Sequence, residues 1–84
     1  MQLVICAVFD SAAQAYNRPF FAPSVGLAVR SFRDEVNRNA PENPMYNHSD
    51  DFSLHQLGVF DDANAQLQVA PEIITLARAK DLKE

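Results

Sequence analysis

The sequence predicts an α+β domain of order β-α-β-β-α, a three-stranded sheet with its helices packed on one face. Three observations lead there. Leu3–Phe9 is continuously apolar and rich in β-branched residues; Ser24–Arg38 carries apolar residues at helical spacing; and Phe52–Val69 shows the alternation of a hairpin. A length of 84 residues allows one domain, covering 1–84, and an apolar fraction of 48% suffices for a compact core. A domain of this size has a thin core, which association often reinforces.

Leu3–Phe9 contains Val4, Ile5 and Val8 and stops at Asp10-Ser11. A short run without polar alternation predicts a central strand covered on both faces. Asp10–Pro23 has no periodicity. Pro19 and Pro23 bracket Phe20-Phe21-Ala22, and each proline pushes its predecessor toward extended geometry. The segment reads as a stiff loop that displays two phenyl rings.

Ser24 to Asn37 or Arg38 is the strongest helix signal. Val25, Ala28, Val29, Phe32 and Val36 form one apolar stripe, and Ser24 is placed to cap it. Arg30, Arg33, Asp34 and Asn37 fall on the opposite face, with Arg30 and Asp34 spaced to pair. Gly26 in the first turn marks either a close approach or a tight turn. Asn39–Asp51, with two prolines and three asparagines, reads as a long loop.

In Phe52–Phe60, Phe52 and Leu54 alternate with Ser53 and His55, and the phase then shifts to Leu57 and Val59 around Gly58. A bulge near Gln56 accounts for that shift. Asp61–Asn64 predicts a turn and Gln66–Val69 a partner strand. Pro71 and Glu72 suit the first turn of a closing helix through Arg78 or Lys80, with Ile73, Ile74, Leu76 and Ala77 covering the sheet.

The chemistry is sparse. Two glycines cannot make a phosphate-cradling loop, and the single cysteine, Cys6, lies within an apolar strand and reads as a core residue. His48, Asp50, Asp51 and His55 have no metal-ligand spacing, so no metal or cofactor is expected. No catalytic signature stands out, and a non-enzymatic binding protein is expected. No apolar run spans a bilayer. Met1–Cys6 lacks the basic start of a signal peptide, so a cytoplasmic location without membrane contact is expected.

The net charge of −4 is unevenly spread. Residues 18–38 hold four arginines against Asp34 and Glu35, whereas residues 39–84 hold three cations against eight acids. Rings and arginines interleave at Tyr16, Arg18, Phe20, Phe21, Arg30 and Arg33, the combination a single-stranded nucleic-acid platform needs: bases stack on rings and guanidinium groups neutralise phosphates. Phe20 and Phe21 either form such a platform or plug the helix–sheet interface.

Several signatures together resemble a known family. They are Pro19-Phe20-Phe21, the series Gly26, Ala28, Arg30, Phe32, Asp34 and Asn37, then His48, and finally Asp51-Phe52, Leu54, Leu57-Gly58 and Phe60-Asp61. The family is the small nonstructural protein of gokushovirus-type microviruses, single-stranded DNA bacteriophages, and the likeness runs from about Val4 to Pro71. It implies a viral protein of the host cell cytoplasm, outside the virion shell, acting in DNA replication or in single-stranded DNA synthesis and DNA packaging. It supplies no catalytic residues. Two functions are therefore expected. One is DNA-binding, with single-stranded DNA as partner. The alternative is an acidic adaptor that docks on the replication initiator or the procapsid. A homodimer, favoured by the thin core and a hairpin edge, is compatible with both.

Overall fold

A computed structural model describes residues 1–84. Its architecture is α+β, with helices on one face of an antiparallel sheet, but the sheet has five strands instead of three. Strand β1 (Gln2–Asp10) is central. One of its edges pairs with β4 (Phe52–Asp61), which in turn pairs with β5 (Gln66–Arg78) at the outer edge. The other edge of β1 is shared by two short strands, β2 (Ala15–Tyr16) and β3 (Phe20–Ala22).

Those two strands arise where the sequence suggested an irregular loop. The turn after β1 is built without glycine: Asp10 Oδ1 accepts from the N–H groups of Ala12 and Ala13, and Gln14 takes a left-handed φ of 55°. Past Tyr16, the Asn17 N–H donates to the Val8 carbonyl at 2.8 Å, and pairing then lapses until Phe20. Pro19 has no N–H to offer a ladder. Ala15–Ala22 is thus one strand broken in its middle.

Helix α1 (Val25–Val36) is capped as its sequence suggests, Ser24 Oγ accepting from the Leu27 N–H at 3.2 Å. It buries Ala28, Phe32 and Val36, while Val25 at the entry stays exposed. The Arg30–Asp34 pair does not form; Arg38 instead holds Glu35 at 2.6 Å and Glu42 at 3.1 Å. Residues 39–51 are not a free loop. They contain a short helix, α2 (Pro44–Asn47), and a 3-10 turn at Ser49–Asp51.

Pro71 does not open a helix; β5 runs through it to Arg78, and only Ala79–Leu82 is helical (α3). Ile73, Ile74 and Thr75 are consecutive β-branched residues, which favour extended backbone, and β4 offers a free edge to pair with. Pro71 sits in a bulge: pairing passes from Gly58–Val69 directly to Gln56–Ile74, leaving Ala70–Ile73 outside the ladder. On the β1 side the same region skips Leu57, Ile5 pairing with Gly58 and Cys6 with Gln56. This is the phase shift visible in the sequence.

The core lies between the sheet and the helices. Cys6, Val8, Ala22, Phe52 and Leu54 face Ala28, Phe32, Val36 and Ala79. Burial raises the Cys6 thiol pKa above its usual value. Only 12 of 84 residues are buried, because the other face of the sheet carries no covering element.

Candidate nucleic-acid interface

The pleat decides which rings are available. Phe20 pairs with Cys6 and turns to the helix side, where it packs against the core; Phe21 pairs with Ile5 and stands on the open face, 54% exposed. Its ring meets Phe60 edge-on with centroids 5.5 Å apart. Tyr16, 43% exposed, pairs with Phe9 on that same open face, their centroids 4.8 Å apart.

Pairing across the sheet extends this contact into a row. Tyr16 pairs with Phe9, Phe9 with Ser53, and Ser53 with Arg78, so the four side chains cross β2, β1, β4 and β5 in line on the open face. The adjoining row is Ala7, His55 and Thr75. His55 lies 5.5 Å from Tyr16 and 6.2 Å from Phe9, both edge-on. Its Nε2 is 2.8 Å from Ser53 Oγ and its Nδ1 is 3.4 Å from Thr75 Oγ1. Partial burial lowers its pKa from the ordinary value, because it disfavours the charged ring.

The cations divide between the two sides. Arg18 lies in the break between β2 and β3 and lines a helix-side cleft of about 320 Å³ together with Val8, Phe20, Phe32, Met45 and Glu35. Arg30 and Arg33 are exposed on α1. Arg18, Arg30, Arg33 and Arg78 make no ion pair with any acid. The structure thus brings Tyr16 and Phe21 to the open face and holds Arg18, Phe20, Arg30 and Arg33 on the helix side, Arg18 in the wall of the cleft beside Phe20.

Sequence reasoning missed Phe9, His55, Phe60 and Arg78 as members of the open face. The alternation of Phe52 and Leu54 against Ser53 and His55 was the available signal for His55. Arg78 gave none while residues 71–80 read as a helix. No group of three or more His, Cys, Asp or Glu side chains comes together to hold a metal ion.

A family model described as phage ORF5 protein matches residues 3–82. The chain belongs to the phage ORF5 protein family. It is therefore a bacteriophage protein, and the match includes α1 and every strand apart from the first residue of β1. No curated protein and no solved structure matches the chain. No helix of this ORF5 protein is long and apolar enough to cross a membrane.

Proposed function

We propose that this ORF5 protein binds single-stranded DNA across the open face of its sheet. The observation that carries the reading is the row Tyr16–Phe9–Ser53–Arg78: rings at one end and, at the other, a guanidinium that makes no ion pair, although Asp50 and Asp51 line the same cleft. Bases stack on Tyr16 and Phe21, with Phe9 and His55 supporting the first ring and Phe60 the second. Arg78 takes a phosphate at the edge of the open face, and Arg18, which lines the helix-side cleft, contributes positive charge only. Arg30 and Arg33, on the helix side, add to the local positive field without touching the bases.

The phage family and the likeness to gokushovirus-type microviruses support the same reading. In it the protein is a non-enzymatic, nonstructural factor of the host cytoplasm that handles the genome during replication, single-strand synthesis or packaging. Fluorescence anisotropy with a labelled oligo-dT at two salt concentrations tests it. Binding that weakens steeply with salt is expected; no change in anisotropy at low salt refutes it.

The adaptor reading rests on the exposed acids Glu72, Asp81 and Glu84. Capture of a viral replication or capsid protein, combined with absent oligonucleotide binding, would favour it.

A further inference from the structure

The outer edge of β5 is open along its length, and its first five residues have an unusual composition for an edge. Gln66-Leu67-Gln68-Val69-Ala70 contains no charge and no proline. Edge strands of soluble proteins are ordinarily blunted by one or the other. Gln66 to Val69 are all exposed, Leu67 at 63% and Val69 at 85%, so this part of the hairpin lies beyond the cover of the helices on either face. Leu67 and Val69 pair with Phe60 and Gly58, and with Ile5, Leu57 and Ile73 they line an apolar groove of about 400 Å³. The molecule is drawn out to 41 × 22 × 20 Å, as a domain with an uncovered arm would be.

We infer that a second copy of this chain covers the arm, the two β5 edges pairing antiparallel about a two-fold axis at Gln68. The segment is its own complement in that register. Gln68 meets its counterpart, Leu67 faces the partner's Val69, and Gln66 faces the partner's Ala70. The pleat keeps Leu67 and Val69 of both copies on the open face, so the two grooves join into one apolar seam. Because the segment is uncharged, two copies with a net charge of −4 each meet where neither carries a charge. The seam ends at Pro71, which lacks an N–H, and at the bulge that takes Ala70–Ile73 out of the β4 ladder. An isologous contact of this kind closes on itself and does not propagate. It also leaves the β2–β3 edge, with Tyr16 and Arg18, free at both outer ends of the joined sheet.

Sedimentation velocity over a concentration series, with cross-linking, tests this. The wild-type chain is expected to sediment at twice its 9.4 kDa mass at the upper concentrations. Gln68→Lys sets two like charges opposite each other at the axis and should raise the dissociation constant by about tenfold or more, with the circular dichroism spectrum unchanged. Gln68→Cys should cross-link to its own kind with a short bis-maleimide. Ala13→Cys, in the turn between β1 and β2, should not, and the buried Cys6 of the wild type supplies the background. A chain that is monomeric at every concentration overturns the inference and leaves the edge to a strand from a different protein. Unchanged dimerisation of Gln68→Lys, or equal cross-linking of both cysteine variants, overturns it as well.

Discussion

A Cβ placed on Gly58 would overlap the backbone carbonyl of Gln68. The two strands of the β4–β5 hairpin approach closely here, beside the bulge that skips Leu57. The obstacle is main chain, so it cannot rotate aside. Gly58→Ala should destabilise the fold by about 1–3 kcal/mol, the range for overpacking at a tight site. Gly26, the other glycine, has only Ser24 Oγ near its would-be Cβ, at 3.9 Å. Gly26→Ala should therefore stabilise α1 by up to about 1 kcal/mol. Thermal melts of the two variants should move in opposite directions.

Asn43 is the buried polar side chain that ties residues 39–51 to α1, being only 3% exposed. Its Nδ2 donates to the carbonyls of Glu35 and Arg38 at 2.8 and 2.9 Å, and its Oδ1 accepts from the Met45 N–H at 3.1 Å. One side chain thus satisfies the end of α1 and the start of α2. Asn43→Ala should cost about 2–3 kcal/mol, because it leaves part-buried backbone groups unpaired and removes a cap. Urea denaturation measures the loss. Asn47→Ala, whose Nδ2 reaches Ala40 and Pro41 carbonyls from an exposed position, should cost less than 1 kcal/mol.

That tie also shows why part of the fold was legible in the sequence and part was not. Elements set by their own residues could be read: α1 from its apolar stripe and Ser24 cap, β1 from its β-branched run, and the β4 bulge from its change of phase. Elements set by a distant partner could not. Asn43 gives no local sign that its targets are Glu35 and Arg38. Residues 71–78 carry both a helix-start signal at Pro71 and a β-branched run at Ile73–Thr75, and the free edge of β4 decides between them. The hairpin into β2 turns at Gln14, where a glycine would have announced it. The site suffered in the same way. Tyr16 and Phe21 could be named from the sequence, but their separation from Arg30 and Arg33 follows from strand pairing alone.

His55 links stability to pH. Its folded pKa lies below the unfolded value of about 6.5 because burial disfavours the charged ring. The unfolded chain then binds the proton more readily. Stability is complete above about pH 6.5 and falls as pH drops through the folded value. The N-terminal ammonium, whose pKa is raised by its hydrogen bond to Asp62, acts in the opposite sense and only in alkaline solution. Urea denaturation at pH 7.5 and pH 5.0 should show a weaker fold at the lower pH, and His55→Gln should narrow the difference. An equal loss in both proteins would assign the pH dependence to other groups.

Phe20 and Phe21 are neighbours in sequence on opposite faces of the sheet, which separates folding from binding in a pair of variants. Phe20→Ala should lower stability by about 2–3 kcal/mol, less than a fully buried phenylalanine costs, since its ring is only half-buried against the core. Its affinity for oligo-dT, measured well below the melting temperature, should stay near wild type. Phe21→Ala removes an exposed ring and one edge contact with Phe60, costing about 0.5–1.5 kcal/mol of stability. It should weaken oligo-dT binding by about 1–3 kcal/mol, and Tyr16→Ala should do the same. Arg78→Ala should reduce the slope of log affinity against log salt by about one phosphate contact, and by more than Arg30→Ala with Arg33→Ala together. The reverse outcome, in which the α1 arginines govern the salt slope and Tyr16, Phe21 and Arg78 are silent, would move the nucleic acid to the helix side and leave the open face to a protein.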